Sequence, residues 1–155
     1  MSAGDAITPE GLEALKAELK ELETSGREAM SARINDARSL GDLKENADYH
    51  IAKEDQAHLE TKILRLRHRL RDAVIVEADA SSDTFDFGRT AAVTDETSGK
   101  TSEWTIVGPT EADLKTGKLS AESPVAQALL GAKPGDVVTV ETPRGERSYR
   151  VERLV

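Results

Sequence analysis

Leu12, Leu15, Leu19 and Leu22 recur at steps of three and four, the spacing that keeps one narrow apolar stripe of a helix against a partner helix. Gly26, Met30, Ile34 and Ala37 extend the stripe less regularly. The step of eight between Leu22 and Met30 departs from a heptad and predicts a local change of supercoil within one continuing helix. Thr8, Pro9 and Glu10 form a start signal: a hydroxyl N-cap, a proline tolerated at the first helical position, and an acid near the positive end of the helix dipole. A second stripe runs through Tyr49, Ala52, Gln56, Leu59, Ile63, Leu66, Leu70 and Ala73 without a slip. Few residues around Gly41 separate the two stripes, so the helices must fold back as an antiparallel hairpin. Arms of about 30 residues reach roughly 45 Å. The segment SLGDLKENADYH forms the tip.

After Val76 the pattern changes. The stretch EADASSDTFDFG has the polar, turn-forming content of a linker. Beyond it, residues 88–96, 102–108, 136–142 and 147–155 are short, β-branched or alternating segments bounded by turn residues, and they predict strands. One helix interrupts them in SPVAQALLG, with Ser123 as N-cap, Pro124 at the first helical position and Gly131 at the C-terminal stop. The expected architecture is α+β: a helical coiled-coil hairpin over residues 1–78, with its acidic tip near 41–46, followed by an antiparallel β-sheet domain with one helix over 79–155.

Composition narrows the chemistry. Only 37% of the 155 residues are apolar and 3% aromatic, which suits a chain that is elongated in part. No cysteine is present, which excludes disulfide scaffolds, thiolate metal sites and cysteine nucleophiles. With no apolar run of spanning length and no basic-then-apolar start, a cytoplasmic protein without membrane contact is expected. The net charge of -8 argues against wrapping free nucleic acid. Within it, TKILRLRHRLR holds Lys62, Arg65, Arg67, Arg69 and Arg71 and no acid, a run read as the solvated flank of the second stripe. His50, His58 and His68 lack zinc-site spacing, and no glycine-rich phosphate loop exists.

The tip carries the candidate chemistry. Asp42 and Glu45 stand three apart, so on one helical face their side chains lie within about 5 to 6 Å and suit a shared cation. The same spacing also makes a capping box for the second helix. Spacing alone favours the cap; the position of the pair at the far end of a long hairpin, where any Ser or Asn could cap, favours the cation site. Two carboxylates do not cage magnesium, which combines one or two acids with waters and substrate phosphates. A hairpin delivering them to a partner's phosphate-bearing site would complete a second metal position there, as two-metal phosphodiester cleavage requires.

The tip motif, with Ala37, Arg38, Gly41, Asp42, Leu43, Lys44, Glu45, Asn46, Ala47, Tyr49 and His50, resembles that of the bacterial transcript cleavage factors of the GreA/GreB family. IVGPTEADLKTGKLSAESPVAQALLG and the closing DVVTVETPRGERSYRVERL are similar to that family's C-terminal part. The acidic total and short basic run lean toward the GreA side. The resemblance implies a globular domain of FKBP-like fold and a monomer that binds bacterial RNA polymerase at its secondary channel. It implies that Asp42 and Glu45 help hold a second Mg2+ shared with the polymerase, which then hydrolyses the nascent RNA 3' end of a backtracked complex. The factor would stimulate the polymerase in trans and would not itself be an enzyme. It further implies that Arg38, Lys53, Lys44 and Asn46 contact RNA or the channel, with Asn46 also shaping the tip, and that Ser123 and Pro124 take part in docking. Arg38 and Lys53 read equally as ordinary solvated helix bases, and the basic run over 62–71, besides its reading as a solvated flank, could guide RNA or line the channel entrance. Lys53 stands where relatives often have Arg, and it lacks the bidentate fork. A channel-blocking factor of the same shape, or an isomerase domain on a spacer, are the competing functions. An isomerase needs an aromatic-lined pocket, and the second domain offers only Phe85, Phe87, Trp104 and Tyr149.

Overall fold

The computed structural model describes residues 6–42 and 45–155. Its first long helix begins where the sequence signals a cap: the Gly11 N–H donates to Thr8 Oγ1 at 3.0 Å, and the Leu12 N–H reaches the Thr8 carbonyl at 2.9 Å. Helix α1 spans Pro9–Glu21 and α2 spans Arg27–Arg38. Between them Leu22–Gly26 forms a π-helical turn, and both flanking residues, Glu21 and Arg27, keep right-handed helical dihedrals. The helix is therefore continuous. A π turn holds one residue more than an α turn and absorbs the eight-residue step, so Leu15, Leu19, Ile34 and Ala37 are all buried on one seam.

Helix α3 spans Ala47–Asp72 and returns antiparallel, burying Ala52, Ile63 and Leu66 against the first helix. Because the seam is narrow, charged side chains flank it on both sides and bridge the helices. Arg27 donates two hydrogen bonds to Glu60, at 3.1 and 2.9 Å, and holds that carboxyl below its ordinary range. Arg33–Asp55 at 2.7 Å, Lys62–Glu18 at 3.4 Å and Arg67–Glu23 at 2.5 Å repeat the pattern along the hairpin. Such exposed pairs contribute little stability each, and their arrangement in blocks, with acids at 18 and 23 and bases at 27 and 33 on the first helix, mainly selects one register.

The second body is a five-stranded sheet in the order β5-β4-β3-β7-β6, made from β3 (Thr90–Asp95), β4 (Thr101–Val107), β5 (Lys118–Ser120), β6 (Val137–Thr142) and β7 (Gly145–Leu154). The four predicted strand segments are β3, β4, β6 and β7. The expectation of a wholly antiparallel sheet needs correction, because β4 and β5 pair in parallel, Ile106 opposite Leu119. At three residues, β5 is too short to show alternation; it is held by one buried side chain, Leu119. Helix α4 (Pro124–Leu129) packs Ala126 and Leu129 onto Ile106, Val93, Val151 and Tyr149 to form the core.

The segment read as a linker is instead folded into this core. Phe85 is completely buried, and its N–H and carbonyl are bonded to Ala132 and Gly131 at 2.7 and 2.9 Å. The buried Arg89 donates to the carbonyls of Asp79 and Ser82, both at 2.8 Å. Polar composition thus marks a loop whose donors and acceptors are satisfied locally, by Ser82, Thr84 and Asp86 among themselves.

The compact units divide the chain away from a single cut at 78/79. One holds Glu13–Asp72; the other gathers the described residues 6–12 with Ala73–Val155. The reason is a parallel pair between β1 (Ala6–Ile7) and β2 (Val74–Ile75), the strands entering and leaving the hairpin. Glu111 reinforces it by accepting from the Thr8 N–H, the Thr8 hydroxyl and the Gly108 N–H. Gly108 is obligatory at this junction, since a Cβ there would stand 2.3 Å from the Ala6 carbonyl oxygen.

The π turn yields a prediction. Deleting the exposed Ser25 converts the eight-residue step to seven, so a regular α-helix then keeps both halves of the seam in phase. The deletion variant should remain folded, with unchanged helical circular dichroism per residue. Inserting one alanine there should rotate the seam and lower the melting temperature.

Candidate functional site

At the hairpin tip α2 ends through Ser39, whose N–H still reaches the Asn35 carbonyl at 3.3 Å. The chain then turns at Gly41, whose φ of 122° lies in a region that side chains other than glycine rarely adopt. Asn46 closes the loop from the other side. Its Oδ1 accepts the Tyr49 N–H at 3.0 Å, as an N-cap does for the third helical residue, and the His50 N–H bonds the Asn46 carbonyl at 3.2 Å. The Nδ2 of the same side chain donates to the Ala37 carbonyl at 2.5 Å, near the end of α2. One carboxamide thereby joins the last turn of one helix to the first turn of the next.

This geometry answers the capping question. The cap of α3 is Asn46, and Asp42 lies four residues ahead of it. Asp42 and Glu45 are both solvent-exposed, at the two ends of the short stretch between Gly41 and Asn46. Lys44 falls outside the described residues. Among the described residues no three His, Cys, Asp or Glu side chains gather as a metal cage. Two carboxylates are hard oxygen donors that suit Mg2+ in chemistry, and they supply only part of its six-fold shell.

The neighbouring candidates have identifiable local contacts. The Arg38 guanidinium lies 5.8 Å from the Tyr49 ring centroid, a cation-π distance, and the Tyr49 ring meets His50 edge-on at 5.6 Å. Tyr49 is half-buried, so the ring fixes Arg38 beside the tip while leaving it exposed. Lys53, one turn further on, donates to Gln56 at 2.9 Å and is also exposed. In the basic run, Lys62 and Arg67 are matched by Glu18 and Glu23, and Arg71 by Asp72. Arg65 and Arg69 are exposed and form no ion pair among the described residues, so the run is solvated and only partly paired.

In the globular unit the Ser123 hydroxyl accepts the Ala126 N–H at 3.2 Å and donates to the Ser120 carbonyl at 2.7 Å, with Pro124 exposed at the first position of α4. The aromatic side chains belong to the core: Phe85 is buried, Phe87 and Trp104 pack against it, and Trp104 meets Tyr149 with ring centroids 5.5 Å apart. Two features escaped sequence reading. The cap at Asn46 had a legible signal, an Asn immediately before helical periodicity. The Glu111 anchor had none, because its partner is 103 residues away.

Comparison with known proteins settles the family. Residues 6–75 match the family model for the N-terminal part of transcription elongation factors, and residues 80–154 match the model for the C-terminal part of GreA/GreB. The chain belongs to the GreA/GreB family of transcription elongation factors. Among GreA proteins it is 42% identical over 149 residues to that of Bradyrhizobium diazoefficiens, covering 96% of this chain and 95% of the relative. It is 43% identical over 146 residues to GreA of Acidiphilium cryptum, covering 94% and 93%. Among solved structures, GreA factor homolog 1 (Gfh1) of Thermus thermophilus is 31% identical, with 97% of each chain covered and a TM-score of 0.42. As a GreA/GreB member the chain is a transcription elongation factor, and none of its described helices is long and apolar enough to cross a membrane.

The tip geometry gives a direct expectation. Asn46→Ala removes both the cap and the link to Ala37, which costs about 1 kcal/mol for the cap alone, and it should speed amide exchange at Tyr49. Asn46→Asp keeps an acceptor for Tyr49 but loses the donor to Ala37. It should hold Tyr49 protection while loosening residues 39–42, as seen by backbone relaxation.

Proposed function

We propose that this chain binds bacterial RNA polymerase through its secondary channel as a monomer and presents Asp42 and Glu45 to the polymerase active centre. There the polymerase hydrolyses the RNA 3' end extruded in a backtracked complex, and elongation resumes from the new end. The chain supplies groups in trans and carries no hydrolytic site of its own. The observation that carries the proposal is the division of labour at the tip: Asn46 performs the helix cap, while two exposed carboxylates occupy the loop it closes. Family membership supports the rest.

Each residue has a stated part. Asp42 and Glu45 would hold a Mg2+ shared with the polymerase. When bound, that ion supplies Lewis-acid neutralisation of charge at the scissile phosphate. Their carboxylates lower the local potential at the loop, which draws a cation in and orients water by accepting its hydrogens. Arg38, braced on Tyr49, would meet the phosphates at the RNA end, with Lys53 and Lys44 adding charge along the same approach. Lys53 contributes a point charge without bidentate geometry. Asn46 shapes the loop that Asp42 and Glu45 occupy. Ser123 and Pro124 would present the exposed start of α4 for docking on the polymerase.

The test is a backtracked elongation complex with labelled RNA and Mg2+. Asp42→Asn together with Glu45→Gln should slow RNA shortening by at least about a hundredfold, the scale of losing transition-state charge stabilisation. Binding to the polymerase, measured by competition, should be unchanged. Equal shortening by wild type and the double variant would remove the two acids from the mechanism, and a wild type that binds without shortening RNA would indicate a channel blocker instead.

A further inference from the structure

Beside the tip, within the helical unit, lies an open groove of about 450 Å3 lined by Arg33, Asp36, Ala37, Leu40, Asp48 and Ile51. Two aliphatic side chains dominate it: Leu40 is 68% exposed and Ile51 50% exposed. Ala37, only 5% exposed, is the buried part of its lining. Leu40 lies beyond the last residue of α2 and Ile51 in the second turn of α3, so neither belongs to the seam. In a chain with 37% apolar residues, a hairpin end that leaves a leucine and an isoleucine side by side in water calls for a cover.

Charge decides what the cover is. Arg33 is neutralised across the hairpin by Asp55 at 2.7 Å. Asp36 and Asp48, both exposed, form no ion pair among the described residues, so the groove presents aliphatic surface with negative charge at its rim. A second copy of this chain fits poorly, because a two-fold contact would set the acids of one groove against those of its twin. RNA fits poorly too: the acids repel phosphate, and no aromatic ring lines the groove to stack a base. A protein segment with aliphatic side chains and flanking Lys or Arg satisfies both features.

We propose that this groove is a docking surface for a basic, aliphatic segment of the polymerase, engaged as the tip enters. The inference rests on the polymerase-binding function proposed above and adds a second point of attachment close to the chemistry. Leu40 and Ile51 supply the apolar contact, and Asp36 and Asp48 select the basic partner and fix its register. Docking there adds binding energy within the helical unit and leaves the chemistry at the bound tip to Asp42 and Glu45.

The experiment compares full-length variants by competition against labelled wild-type factor on backtracked complexes. Leu40→Ser with Ile51→Ser, and separately Asp36→Lys with Asp48→Lys, should each bind about tenfold more weakly, while RNA shortening at saturating factor stays at the wild-type rate. Leu40→Ser alone lies outside any helix and should lose affinity in the same direction, which guards against misfolding of the double variants. Unchanged affinity of Leu40→Ser with Ile51→Ser overturns the proposal. So does wild-type protein that sediments as a dimer and is returned to monomer by that variant, because the cover is then a second copy. Asp42→Asn with Glu45→Gln runs in parallel: retained RNA shortening by that control sinks the role of the tip acids and leaves the affinity comparison standing.

Discussion

The hairpin depends on one constraint, a seam between two helices that is only one side chain wide. A contact of that width buries Leu15, Leu19, Ile34, Ala37, Ala52, Ile63 and Leu66 and little else, which leaves most of each helix surface in water. The surrounding positions must therefore be polar, and their charges must not oppose one another across the seam. Arg27–Glu60, Arg33–Asp55, Lys62–Glu18 and Arg67–Glu23 meet that demand. Because these pairs are exposed, they choose the register more than they hold the fold.

Register matters because the tip is built from both strands of the hairpin. Asn46 can bridge Ala37 and Tyr49 only if the end of α2 and the start of α3 arrive opposite each other. The π turn at Leu22–Gly26 serves the same end from a distance, since without it an eight-residue step would carry the seam about 80° out of phase on the first helix. A slip anywhere along the seam would move the end of α2 away from the start of α3 and break the Asn46 bridge between them. Packing in the middle of the hairpin is in this sense a condition for the bridge at its end.

The globular unit answers a different problem. A small sheet with one six-residue helix has a modest core, and it is extended by a loop that brings in Phe85 and by a junction that brings in the chain before the hairpin. Glu111, with three donors aimed at one carboxylate, converts residues remote in sequence into a single anchored corner. Gly108 lets the Ala6 backbone approach there, and Gly11 leaves room for the Glu111 side chain. That corner is why the helical unit begins at Glu13 and not at the first residue of α1.

Periodicity, caps and turn chemistry determine the two long helices, the strand-rich second body, the Thr8 and Ser123 caps, and the presence of paired acids at a tip, because each is a local preference repeated over neighbouring residues. The resemblance of the tip motif and of residues 106–131 carries the family by itself. Tertiary structure alone decided who caps α3: Asp42 and Asn46 both have a suitable side chain, and the choice fell to the residue that can also donate to Ala37 across the loop. It decided that a polar stretch is a packed loop, because the burial of Phe85 depends on Gly131 and Ala132 far along the chain. It decided the parallel strand β5, whose three residues have no periodicity to read, and the Glu111 corner. Local sequence encodes what neighbouring residues prefer; contacts closed over a hundred residues depend on which surfaces meet, and no local pattern records that.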